Sequence, residues 1–198
     1  MYVVKKEIKD ITNSIEWNAE DIEEVKHDVV DMGRAVLARD LWSRKWNLVF
    51  RGIPGDKFER PHITEEEVRK FMKNCLEMTE AQINKITFAA SHRLPSGPVG
   101  KKNIIVRLVN LHDRDKIMEA AYKLKKGSGY GVAQDLPPEL ARERDRLLKK
   151  KSNLPKEERK NAKLLYFKTH PFLVLKWDDK EDEAKITYVK RRVRPDAP

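Results

Sequence analysis

Residues 4–39 read VKKEIKDITNSIEWNAEDIEEVKHDVVDMGRAVLAR, and the spacing of the apolar residues in this stretch decides the fold of the N-terminal fifth of the chain. Val4, Ile8, Ile11, Ile15, Asn18, Ile22, Val25, Val29, Met32, Val36 and Arg39 follow at alternating steps of four and three. This is a heptad seam, with Ile8, Ile15, Ile22, Val29 and Val36 at a and Val4, Ile11, Asn18, Val25, Met32 and Arg39 at d. A lone helix cannot bury such a seam. Ile or Val fills every a site and Leu is absent from the d sites, which favours three strands over two. The predicted trimer core is therefore Val4, Ile8, Ile11, Ile15, Asn18, Ile22, Val25, Val29, Met32 and Val36. Asn18 and Arg39 are polar layers of the kind that fix register and strand number. Three Arg39 guanidiniums facing one axis would need an anion; the alternative is a fraying end with Arg39 turned to water. Trp17, at c, is expected on the surface. The chain opens already in heptad phase, so the coil is expected to continue upstream.

Charge divides with the pattern. The chain has 198 residues, 42 Lys/Arg and 32 Asp/Glu, net +10. Residues 1–42 hold 6 basic and 10 acidic residues, and the remainder holds 36 and 22, net +14. An acidic stalk carrying basic heads reads as a nucleic-acid binder whose stalk stays out of the contact. On tripling, the heads would gather roughly forty excess positive charges, enough to steer a polyanion. A single cysteine, Cys75, excludes an internal disulfide and a Cys-based zinc site, and is expected in the core. No apolar run reaches transmembrane length.

After the seam the period changes to two. Asn47–Ile53 reads as a strand closed by Pro54-Gly55. Thr64 and Glu67 form a predicted capping box for a helix carrying Val68, Phe71, Met72 and Cys75. Ile83–Arg93 and Asn103–Leu108 read as strands, Asp113–Lys126 as a helix stopped at Gly127, and Tyr130–Ala133 as an edge strand. This order, β-α-β-β-α-β, is the ferredoxin-like arrangement of RNA-recognition motifs. A helix from about Asp135 to Lys151, a short helix to Lys163, strands at Leu164–Lys168, Phe172–Trp177 and Ile186–Val189, and an acidic connection at Asp178–Glu183 make a small α+β unit. The fold class is α+β. It comprises a trimeric coil over 1–42, a noncanonical RNA-recognition motif over 43–134, a basic C-terminal domain over 135–190 and a tail over 191–198.

In the usual motif, aromatics on the two central strands stack on bases. Here the predicted open face carries Val49 and Arg51, then Asn103, Ile105 and Arg107, with Arg93 at the end of the neighbouring strand. Arginine planes can stack on bases while pairing with phosphates; alternatively these residues pair with local carboxylates on a solvated sheet. Further candidate contacts are Arg44 and Lys45 at the coil-to-head junction, Lys101 and Lys102 in a loop, Lys125 and Lys126 at a helix end, and Arg142, Arg146, Lys149 and Lys150 on the next helix. No catalytic site is expected: the five histidines are scattered, Ser91 and His92 face opposite sides of a strand, and Gly127–Gly131 lacks the phosphate-loop GK[ST]. No metal or cofactor is called for.

Asn47-Leu-Val-Phe-Arg-Gly-Ile-Pro54, Ala90-Ser-His-Arg-Leu94, Asn103-Ile-Ile-Val-Arg-Leu108 with Arg114-Asp-Lys-Ile117 and Ala120-Ala121, and loosely His170-Pro171, follow one another behind the trimer-type seam. In this the chain resembles the first-open-reading-frame protein of LINE-type non-LTR retrotransposons. The resemblance implies a homotrimer that coats single-stranded RNA, binds single-stranded DNA also, and acts as a nucleic-acid chaperone in cytoplasmic ribonucleoprotein particles with possible nuclear entry. It implies no membrane association, RNA contacts at Arg93, Arg107 and the C-terminal helix arginines, and chloride in polar core layers such as Asn18 and Arg39. The competing reading is a coiled-coil scaffold whose sheet binds a protein.

Overall fold

The structure, a computed structural model, describes residues 2–55, 59–95, 100–125 and 127–188. It is mixed α+β, with one long N-terminal helix and two antiparallel sheets. The chain divides into two compact units, Leu41–Leu136 and Met1–Asp40 with Pro137–Pro198.

Helix α1 spans Tyr2–Ser43, roughly 60 Å at the usual rise per residue. In the single chain the apolar seam residues Val4, Ile8, Ile11, Ile15, Ile22, Val25, Val29, Met32 and Val36 are 37 to 67% exposed. Asn18 and Arg39 are exposed as well, and so is Trp17, as expected. Burying one such aliphatic side chain is worth about 1.5–3 kcal/mol. The single chain leaves about half of that unrealised.

In the Leu41–Leu136 unit the elements are β1 (Asn47–Arg51), α2 (Pro61–Asn74), α3 (Glu80–Asn84), β2 (Phe88–Arg93), β3 (Ile104–Leu108), α4 (Leu111–Ala121) and β4 (Gly131–Gln134). The strands lie in the order β2-β3-β1-β4, every neighbour antiparallel. Alternation sends Leu48, Phe50, Ile104, Val106 and Leu108 to one face, where they are buried against Val68, Phe71 and Met72 of α2 and Ile117 of α4. Phe50 meets Phe71 edge to face at 5.9 Å between centroids. The pairings Asn47–Arg107, Val49–Ile105, Ala90–Arg107 and His92–Ile105 put those residues together on the opposite face.

One residue ties the ends of three strands together. Arg93 donates from Nε and Nη2 to the Glu59 carboxylate at 2.9 and 3.0 Å. Its Nη1 reaches the carbonyls of Ile53 and Lys102, each at 2.9 Å, and its Nη2 that of Pro54 at 2.7 Å. The two side chains are only 5% and 8% exposed. A Cβ on Gly55 would stand 1.8 Å from Arg93 Nη2, so glycine is what allows the guanidinium to lie against this loop. Gly52, at φ +84°, is a second constrained position, because a Cβ there would meet the Gly129 carbonyl at 2.2 Å.

In the other unit, α5 (Pro138–Asn153) and α6 (Lys156–Asn161) precede β5 (Lys163–Tyr166), β6 (Leu173–Trp177) and β7 (Lys180–Glu183), paired in the order β5-β6-β7. Leu140 and Leu147, two helical turns apart, are fully buried, and α5 packs on β6 with its Leu173, Val174 and Leu175.

Several boundaries differ from the sequence reading. Helix α2 begins at Pro61, not Thr64, because proline at the first helical position already has helical φ. Thr64 is then buried inside the helix, donating to Glu59, and the Thr64–Glu67 capping box does not form. The box that does form is Thr79–Gln82. It opens α3, whose last two residues, Ile83 and Asn84, the sequence suggested as strand, and Arg69 closes that helix by donating to the Ile83 and Ile86 carbonyls at 2.8 and 3.0 Å. Helix α4 stops at Ala121, five residues before the expected end, with turns following. The acidic run is not a connection but strand β7, entered by a two-residue turn in which Asp178 has φ +49°; Ile186–Tyr188 is not strand. Val49 lies on the open face yet is buried between Ile105 and Ala133. Cys75 caps α2 half-buried, packed against the core. Lys126, Val189 and the 191–198 tail lie outside the described residues.

Arg93→Ala should destabilise the chain by about 3–5 kcal/mol, since it strands a buried carboxylate and three carbonyls. Gly55→Ala should destabilise by forcing the guanidinium away. Urea denaturation followed by far-ultraviolet circular dichroism measures both; an Arg93→Ala midpoint equal to that of the parent would show that the ion pair holds nothing.

Candidate nucleic-acid interface

The uncovered face of the four-stranded sheet is the surface on which chemistry concentrates. Its middle is a shallow depression of about 200 Å³, lined by Asn47, Ala90, His92, Ile105 and Arg107. Ala90 and Ile105 supply an apolar floor, and an amide, an imidazole and a guanidinium stand around it. Arg107 and Arg51 are exposed on this face, each on an alternate position of its strand. Asn47 Nδ2 donates to Asp135 at 3.0 Å, whereas its buried Oδ1 has no partner among the described residues.

The sequence reading missed the aromatic component. Trp42 ends α1 and Trp46 precedes β1, and their rings meet at 87° with centroids 5.0 Å apart. Lys45 Nζ lies 3.7 Å from the Trp42 ring centre and 4.2 Å from that of Trp46, in the angle between the rings. The Arg107 guanidinium stands 5.6 Å from the Trp46 ring, within cation–π range. The backbone holds this corner in place. Lys45 N donates to the Trp42 carbonyl, Asn47 N to Arg44, Leu108 N to Trp46, and Arg114 Nη1 to the Lys45 carbonyl at 2.8 Å. The signal was available in Trp42-Ser-Arg-Lys-Trp46, a pair of indoles flanking a base-rich turn. A search confined to strand aromatics passes over it.

The remaining predicted contacts divide into committed and exposed. Arg93 is committed to Glu59 and three carbonyls inside the fold, which corrects its assignment as an exposed ligand of RNA: the extended strand carries its side chain to the loop ends. Arg44 donates to both oxygens of the buried Asp135 at 3.2 and 3.3 Å. Lys102 Nζ caps the Pro95 carbonyl at 2.9 Å. Lys101 and Lys125 are exposed. Asn103 is half-buried, one residue before β3.

In the second unit, α5 uses part of its charge internally. Arg146 bonds Asp182 of β7 at 3.0 and 3.3 Å, Glu143 at 2.9 Å and the Glu183 carbonyl at 2.7 Å. Lys150 reaches the same Asp182 at 2.6 Å and lies over the Trp177 ring. Arg142 and Lys149 are exposed, Arg142 with Glu139 at 3.7 Å. Arg146's hydrogen bonds hold the Asp182 carboxyl below the ordinary aspartate range, against the opposing effect of its burial, and Lys150 adds to the lowering.

Among the described residues no group of three or more His, Cys, Asp or Glu side chains could hold a metal ion, and no helix is long and apolar enough to cross a membrane. No family model matches the chain. No curated protein matches it either.

Because the folded-state pKa of Asp182 is lowered, its contribution to stability is complete above the ordinary aspartate value near 4 and disappears as pH falls through the lowered one. Asp182→Asn should therefore cost about 1–2 kcal/mol at pH 7, with partial solvent screening at Arg146 keeping it at the lower end. The difference from the parent should close in strong acid, where the parent's Asp182 is also neutral. Denaturation midpoints at pH 7 and pH 3 check this; a gap that does not narrow on acidification would remove the charge pairing as its cause.

Proposed function

We propose that this protein is a homotrimeric, largely sequence-independent single-stranded nucleic-acid-binding protein that packages RNA and promotes strand annealing, as the resemblance to LINE-type first-open-reading-frame proteins implies. The observation that carries the reading is the open sheet face. It sets Arg107 beside a Trp–Lys–Trp corner and carries His92 and, at the other end of β1, Arg51, on a unit whose other face is closed by helices. Phosphates meet the guanidiniums and Lys45, and bases meet flat apolar or aromatic surface, the combination that single-strand binders use. The strand order β2-β3-β1-β4 supports a ferredoxin-like, RNA-recognition-type reading of the unit. Exposed Lys101 and Lys125 add positive charge to the same unit, and the other unit carries exposed Arg142 and Lys149 of its own.

The exposed seam of α1 supports the trimer. Nine Ile, Val and Met side chains at heptad spacing stay in water in one chain and would be buried by two further copies. Asn18 and Arg39 would then face the trimer axis, and chloride is the ion suited to offset three Arg39 charges there. Trimerisation also raises affinity for a long strand, because three heads share one polymer at high effective concentration.

Light scattering of nuclease-treated protein should give three times the chain mass. Arg107→Ala with Arg51→Ala should leave that mass unchanged and weaken binding of single-stranded RNA in fluorescence anisotropy by tenfold or more. The log–log salt slope should be steep, near −0.7 for each phosphate contact, and shallower in the double variant. Indifference to RNA at low salt, with an acidic protein retrieved instead, would establish the scaffold reading.

A further inference from the structure

Resting on the nucleic-acid reading, the geometry points to the Trp42–Lys45–Trp46 corner as a dedicated nucleobase-stacking site, at which one unpaired base lies on the indole of Trp42. Three observations carry this. Trp42 is 60% exposed even though Lys45 covers one of its faces and Trp46 meets it at a right angle, so most of a large aromatic surface remains open. Leaving an indole in water at a position fixed by a backbone turn forfeits the burial that such a side chain normally supplies. A partner with a flat π-face recovers it.

The second observation is the charge. Lys45 is held between the rings, and the Arg107 guanidinium stands 5.6 Å from the Trp46 ring centre, so two cations accompany the aromatic pair. An apolar protein segment docking here would have to desolvate both. A nucleotide brings an aromatic base together with an anionic phosphate, and so matches the indole and the cations at once. The third is rigidity. The Trp42, Arg44 and Lys45 carbonyls all accept hydrogen bonds, the last from Arg114 of α4, so the corner is set before any ligand arrives. Little ordering remains to oppose binding.

The site differs in kind from the strand-borne aromatics of standard RNA-recognition motifs. Its platform lies at the junction between helix and sheet, and Arg107 links it to the depression lined by Asn47, His92 and Ile105. A base on Trp42 therefore marks one end of a track whose continuation crosses β1 and β3.

The test compares oligouridylate with an abasic ribose-phosphate oligomer of equal length, each titrated into the 198-residue chain. The parent should bind the base-bearing oligomer at least about fivefold more tightly, the lower end of what one stacked base contributes. Trp42→Ala should lower that preference by about fivefold or more while leaving the salt slope and the affinity for the abasic oligomer unchanged. Trp42→Phe should retain part of the preference, and both variants should melt as the parent does. Binding of both oligomers with equal affinity by the parent, or a Trp42→Ala variant that keeps the preference, overturns the site but leaves the nucleic-acid reading standing. A Trp42→Ala variant that keeps the preference but loses oligomeric mass assigns Trp42 to a neighbouring copy and also overturns the site. Failure of the parent to bind either oligomer overturns both.

Discussion

The guanidinium of Arg93 carries five N–H donors, and all five are used inside the fold. Through them the exit of β1, the end of β2, the approach to β3 and the residue leading into α2 are held at one point. A buried arginine is tolerable only when its charge and every donor are satisfied. Glu59 supplies the charge, and the carbonyls of Ile53, Pro54 and Lys102 supply the rest.

The same distinction, between cations spent on the fold and cations turned to solvent, runs through the molecule. Arg44 answers the buried Asp135, Arg69 closes α3, and Arg146 and Lys150 both answer Asp182. These residues contribute to the formal charge of +10 but have little of their local field left to offer a ligand. Arg51, Arg107, Lys101, Lys125, Arg142 and Lys149 remain exposed. Lys45 is intermediate: its ammonium is held on two indoles, where it keeps its charge because an aromatic face, unlike a carboxylate, does not neutralise it. Net charge alone therefore overstates the size of a binding surface and does not locate it.

Periodicity determined much of the architecture. A heptad seam from Val4 to Val36 specifies a helix, and the two-residue repeat of Asn47–Arg51 and Ile104–Leu108 puts Phe50 and Val106 on one face and Arg51 and Arg107 on the other, the arginines marking the open side. Those assignments need only the repeat of the backbone. Boundaries were less legible, because they turn on competition between local signals. Pro61 outranked Thr64 as a helix start, and Thr79 with Gln82 drew Glu80–Asn84 into a helix that Arg69, distant in sequence, completes. The acidic Lys180–Glu183 became a strand because β6 offers it a backbone ladder and α5 offers Asp182 two cations, neither of which its own composition records.

Residue types and spacing by themselves determined the long helix, the mixed α+β class, the face assignments on the central strands and the concentration of positive charge after residue 42. Tertiary structure alone decided which of those charges face solvent, that Arg93 is a structural brace, and that Trp42, Lys45, Trp46 and Arg107 form one corner. The physical reason is separation along the chain. A repeat is written in neighbouring residues, whereas the partners that consume a guanidinium or frame an indole come from Glu59, Asp135, Asp182 and Arg107, brought near only when the sheets close.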